Sequence, residues 1–171
     1  MFIEYRGKSP KVDPSAFVAP TAVLIGDVEI GPESSIWFGA VLRGDNGPIR
    51  VGARTSIQDN CVVHVGDRKL TLIGNDVTVG HCAVMEDCDI RDHALIGSNA
   101  VLLNGSVIGE GALIAAGSVV GQDAVIPPRV LAAGAPATVK KALEGESAKW
   151  IDISSREYVE LSRSYIDEGI V

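Results

Sequence analysis

A spacing of six residues dominates this chain. Aliphatic side chains stand at Val18, Leu24, Ile30, Ile36 and Leu42 without a break, then return in phase at Val51, Ile57 and Val63 and again at Ile73, Val79 and Met85. After one dropped residue the series continues through Ile90, Ile96, Leu102, Ile108, Ile114, Val120 and Ile126. A small residue often follows four positions later, as at Ala22, Ala40, Cys61, Ala83, Ala100 and Ala112. Glycine often comes directly after the aliphatic residue, where we expect it to supply the positive φ that a turn needs.

A period of six is neither the 3.6 of an α-helix nor the 2 of a flat strand. It suits a short strand followed by a turn, with the aliphatic and the small residue both pointing into a narrow interior. Three such units make one triangular coil, and coils stack through parallel ladders about 4.8 Å apart. The pattern therefore predicts a mainly β chain, a parallel β-helix of hexapeptide repeats in which each coil needs its neighbours to bury a continuous core. Eighteen aliphatic positions at three per coil predict about six coils. A set of amphipathic helices is excluded by the period and by the 19 glycines.

The interruptions carry their own expectations. Residues 43–50 and 66–71 are polar and rich in turn formers, so both are predicted to project as loops. Pro127-Pro128 and Gly134-Ala135-Pro136 are predicted to close the coil and stop strand pairing. This gives a β-helix domain over 1–136, with coils over about 11–133, and a C-terminal helical segment over 137–171. Ile151, Tyr158, Leu161 and Tyr165 fall on one face of a helix, predicted to pack along the outside of the β-helix of its own or a neighbouring subunit.

Composition removes several function classes. A net charge of -7 argues against a sequence-independent nucleic-acid binder, which needs a basic face. Met1 to Arg6 lacks the basic-then-apolar run of a signal peptide, and no apolar stretch approaches a membrane span. Three cysteines without a CxxC pair fit a reducing compartment. The expectation is a soluble, cytoplasmic protein with a small-molecule substrate.

Several segments together resemble the γ-class carbonic anhydrase-like family of trimeric left-handed β-helix proteins. They are Ser35-Ile36-Trp37-Phe38-Gly39-Ala40-Val41-Leu42-Arg43-Gly44-Asp45, the Ile57-Gln58-Asp59-Asn60 stretch leading to His64, Gly80-His81, Gly134-Ala135-Pro136-Ala137 and Tyr158-Val159-Glu160-Leu161. They span nearly the whole chain in the family's order and spacing. The left hand is implied by the resemblance alone, since a period of six does not set it. The resemblance also implies a homotrimer, zinc or iron held between subunits by three histidines, and reversible hydration of CO2 to bicarbonate.

Two of those histidines correspond to His64 and His81, and the third position is Glu86; the remaining histidine, His93, lies seven residues further along. By the resemblance His64 and Glu86 come from one subunit and His81 from its neighbour. Arg43 and Asp45 are implied to form an intersubunit ion pair lining the cleft, with Asp59 a structural neighbour of Arg43. Gln58 is implied to hydrogen-bond water or substrate at the metal, and Tyr158 to reach the pocket with its hydroxyl.

The residues themselves can be weighed. His64 and His81 are separated by almost one coil, which predicts a shared edge of the prism, with Glu86 nearly one face further round. Two histidines with one carboxylate form a known catalytic zinc set and also suit iron(II). Either metal leaves a position for water, and zinc lowers the pKa of that water to roughly 7, giving a hydroxide that could attack CO2. A carboxylate in place of imidazole weakens that acidification and slows the chemistry at neutral pH. Plainer roles stand beside these: a salt bridge for Glu86 in a lapsed site, a loop ion pair for Arg43 and Asp45, a turn cap for Asp59, helix packing for Tyr158. The stretch Gly66 to Thr71 is too short for an acidic proton-shuttle loop. Two other functions remain open, a transferase or thioester hydrolase acting on coenzyme A, and a metal-free trimeric scaffold.

Overall fold

The computed structural model describes residues 1–67 and 70–170, and it coils as the period requires. Short parallel strands stack into three faces, met in the chain order Phe2–Ile3 on face I, Lys11–Val12 on face II and Phe17–Val18 on face III. The cycle repeats for about seven turns, one more than the aliphatic series predicts. The N-terminal strands on faces I and II and the late strand Val130–Gly134 on face III lie outside that series.

The inward columns account for the period. On face I, Leu24, Leu42, Val63, Met85, Leu102 and Val120 stand in register, one above another, and all are buried. Of the eighteen aliphatic positions, all but the partly covered Val18 are buried. Burying one such side chain is worth roughly 1.5–3 kcal/mol, whereas an exposed ion pair contributes about 0–1 kcal/mol. The columns therefore outweigh the surface ion pairs in holding the coils together.

Glycine acts differently from expectation. The glycines that follow the aliphatic residues, such as Gly97, do not have positive φ; that conformation falls to Glu33, Arg54, Asp76, His93 and Asp123, among others. Gly97 is required by close approach, because a Cβ there would lie 2.4 Å from the backbone nitrogen of Ala116 on the next coil.

Two other expectations are corrected, at 43–50 and after Gly134, and the 66–71 stretch stands as expected where it is described. Residues 43–50 are not a detached loop but belong to the continuous strand Val41–Val51, which turns the corner from face I to face II. Its pairing with Val23–Ile30 slips between Gly26 and Val28, matched to Gly44 and Ile49, so that Asp45 to Pro48 bulge out of register. In the 66–71 stretch Asp67 lies in a turn, while Arg68 and Lys69 are outside the described residues. Strand pairing does not stop at Gly134-Ala135-Pro136: Ala137–Ala142 folds back antiparallel on Val130–Gly134, and the helix begins only at Glu146.

The helix, Glu146–Asp167, lies on the outer side of face III. Ser35, Ser56 and Thr78 point outward there, yet they are buried beneath it. Trp37 Nε1–H donates to the Oγ atoms of Ser35 and Ser56, each at 3.0 Å, and Thr78 Oγ1 lies 3.0 Å from Ser154 Oγ. The helix face so covered is Ile151, Ser154, Ser155, Val159 and Ser162, with Tyr158 and Tyr165 half-buried among Phe17, Trp37 and Phe38. Leu161 is 43% exposed and lies off this face, because small serines rather than leucine let the helix approach the small side chains below. No helix among the described residues is long and apolar enough to cross a membrane.

Leu102, fully enclosed between Met85 and Val120, tests the inward column. Leu102→Ala is expected to cost about 2–5 kcal/mol in chemical denaturation, through lost burial and the cavity left behind.

Candidate metal site

Coil length decides which polar residues meet. The last coils repeat at 18 residues, as Leu95 against Leu113, but Ser56 pairs with Thr78 across the coil that carries the 66–71 insertion. In that coil, residues 22 apart in sequence stack. His64 is thus the register partner of Glu86 and also of Arg43. His81 stacks on Asp59. The expected shared edge for His64 and His81 does not form, because counting in 18-residue coils leaves the insertion out.

The result is two half-sites on one face. At the face I–face II corner, His64 Nδ1 lies 3.0 Å from Glu86 Oε1, and its Nε2 lies 3.2 Å from Asp45 Oδ1. Asp45 reaches that position because it sits in the bulge of Val41–Val51. Its other oxygen, Oδ2, accepts from Arg43 Nη1 at 2.6 Å, so the Arg43–Asp45 pair forms within one chain. At the face III–face I corner, His81 Nδ1 lies 2.8 Å from Asp59 Oδ2, beside Gln58 and Tyr158. The two corners are about five residues apart along a rung, on the order of 15 Å, too far for one ion to bridge. Among the described residues, no three His, Cys, Asp or Glu side chains converge on one point within a single copy.

Local electrostatics differ between the half-sites. Burial opposes ionisation of Asp45, but the hydrogen bond and charge of Arg43, aided by His64, outweigh it and hold the carboxyl below its ordinary value. Burial, reinforced by the charge of Asp59, raises the Tyr158 phenol, while its hydrogen bond with Gln58 works the other way. Tyr158 also packs edge-on against Trp37 at 5.7 Å, so its helix-packing role is real. Cys61 and Cys88 are interior thiols that burial pushes up to about 12. Cys82 and His93 are exposed.

One bracing group does not stand out in the sequence. Asp87 is buried, accepting from Gly66 N–H at 3.0 Å and from Asn104 Nδ2 at 3.2 Å. It fixes the chain where strand Val84–Glu86 ends. Its only sequence signal is its place directly after Glu86.

Fold and site together define a hexapeptide-repeat β-solenoid protein carrying imidazole–carboxylate half-sites at its corners. Over 168 residues the chain is 46% identical to "Gamma carbonic anhydrase 2, mitochondrial" of Arabidopsis thaliana, covering 95% of this chain and 60% of that one. It thus spans about three fifths of that relative's length. It is 42% identical to "Carbonic anhydrase" of Geobacillus kaustophilus, covering 96% of this chain and 91% of that one. The crystal structure of a hexapeptide transferase family protein from Anaplasma phagocytophilum superposes with a TM-score of 0.93 at 40% identity, covering 96% and 98% of the two chains. The chain belongs to the γ-class carbonic anhydrase-like family, and its residues 45–150 also match the family model described as the GMPPB C-terminal domain.

Tyr158 offers a direct check on the second half-site. Its phenol is expected to titrate above the usual value of about 10, read from phenolate absorbance of wild type minus Tyr158→Phe. Because the folded value is the raised one, the associated stability is fully present below that ordinary value and is lost as pH climbs through the folded one.

Proposed function

We propose that this protein is a carbonic anhydrase-type hydratase, converting CO2 and water to bicarbonate at a metal site completed between copies of the chain. The observation that carries this reading is the pair of half-sites at opposite ends of one face, each a histidine whose Nδ1 is held by a carboxylate one coil away. Neither half suffices alone. A copy that brings its His81 corner against a neighbour's His64 corner assembles both imidazoles beside Asp45 and Glu86.

The surface between the corners supports such an arrangement. Val23, Val41, Val62, Val84, Val101 and Val119 stand in one outward column on face I, with Val62 and Val84 39% and 40% exposed. A continuous aliphatic stripe of this kind gains by burial against a second copy, and cyclic closure is the common solution. We take the assembly to be a homotrimer. Three free thiols support a reducing compartment, which we take to be the cytoplasm.

The donors fit zinc or iron(II): two imidazoles and at least one ionised carboxylate in contact with His64. When bound, the ion supplies the Lewis acidity that brings the ionisation of water to about pH 7. His64 and a carboxylate touching it, Glu86 by its place in the sequence or Asp45 by its place in the bulge, would hold the ion with His81 of a neighbouring copy. Gln58 and Tyr158 orient water and CO2 at the His81 corner. Arg43 holds Asp45, and Asp59 holds the His81 ring. A carboxylate donor adds negative charge at the metal, so hydration is expected to be slow at neutral pH and to rise as the solution becomes more basic.

The deciding experiment measures metal content and CO2 hydration on untagged protein purified anaerobically without chelators, with mass by light scattering. The expected result is about one zinc or iron per chain, three times 17.9 kDa, and hydration lost in His64→Ala and His81→Ala. Protein that stays metal-free when zinc or iron is offered would overturn the hydratase. A coenzyme A-dependent activity or a scaffold would then be sought.

A further inference from the structure

Resting on the interfacial metal site just proposed, we infer that Asp45, not Glu86, is its carboxylate donor, and that Glu86 is a positioning residue for His64. The two half-sites share one construction. Glu86 meets His64, and Asp59 meets His81, through Nδ1 in both cases and across one 22-residue coil in both cases. At the His64 corner this turns the outer nitrogen, Nε2, toward Asp45 on the preceding coil. A carboxylate on the inner nitrogen of a ligand histidine fixes ring orientation and tautomer, the common support for imidazole–metal bonds.

The geometry at Glu86 is that of a seated acceptor. A Cβ on Gly66 would come within 2.6 Å of Glu86 Oε1, so the missing side chain leaves the room that this carboxylate fills. Asp45 stands at the other end of the ring. Nδ1 lies against Glu86, so the nitrogen that faces Asp45 Oδ1, at 3.2 Å, is Nε2. A metal ion on Nε2 would lie within reach of Asp45 Oδ1, and His81 of a neighbouring copy supplies a further imidazole nitrogen. Two donors bound to one ion at 2.0–2.2 Å in a tetrahedral set lie about 3.3–3.6 Å apart, near the 3.2 Å spacing of Asp45 and His64. Arg43 occupies only Oδ2 of Asp45, which leaves Oδ1 for the site.

Cobalt(II) titration followed by visible absorbance separates the two carboxylates, because the spectrum reports the ligand set without any turnover. The amide of Glu86→Gln can still accept Nδ1–H but is a poor metal donor. That variant is expected to keep the wild-type spectrum with less than about tenfold loss of affinity, and Glu86→Ala to lose roughly 10–100-fold without a change in spectrum. Asp45→Asn is expected to change the spectrum and weaken binding more than either. Each variant is first checked for wild-type mass and melting; should Asp45→Asn unfold, Asp45→Glu replaces it, with a shifted spectrum expected. Cobalt bound by wild type but lost or spectrally altered in Glu86→Gln, with Asp45→Asn unchanged, overturns the assignment and makes Glu86 the ligand. A wild type that binds no cobalt overturns the interfacial metal site itself.

Discussion

Everything in this molecule depends on the parallel ladder between successive coils. Each strand inside the stack is hydrogen-bonded to the rung before it and the rung after it, so side chains far apart in sequence are locked one above another. The ladder supplies direction and spacing, and the inward aliphatic columns supply the driving force. Neither works alone, since a single coil has no core and an unregistered stack would leave its aliphatic residues unpartnered.

The same ladder builds the polar corners. His64 meets Glu86, and His81 meets Asp59, for the reason that Val63 meets Met85: they are register partners one coil apart. Asp45 is the exception, and it depends on a slip in the ladder. The bulge beyond Gly44 frees that carboxylate from the pleat and turns it toward the tip of the His64 ring. A regular strand would have left Asp45 on the rung beside Arg43, with no route to Nε2.

Much of this is legible in the sequence, and the failures have physical causes. The core is readable because aliphatic burial dominates the driving force for folding and repeats with the coils, so that Leu24 through Ile126 announce their own columns. The helix face departs from expectation at Leu161 because the contact is made by Ser154, Ser155 and Ser162, whose small size rather than hydrophobicity permits close packing. The hairpin strand Ala137–Ala142 escapes the pattern because, charged and exposed, it carries no inward residue in the period. The site is half legible. His64, His81 and Glu86 can be picked out by resemblance, but their grouping requires the length of one particular coil, and the bulge that delivers Asp45 leaves no periodic trace.

Coils of 17, 18, 21 and 22 residues coexist in this stack, as Val79 against Ile96, Leu95 against Leu113, Ser35 against Ser56 and Ser56 against Thr78 attest. Every one returns to the same three-faced register. The face I–face II corner therefore behaves as an expansion joint: length is gained or lost there while the facing rungs stay aligned. A polypeptide built this way can remodel the chemistry at an edge by adding a few residues and leave its interior untouched. Its freedom of length is concentrated at the face I–face II corner, where His64 stands.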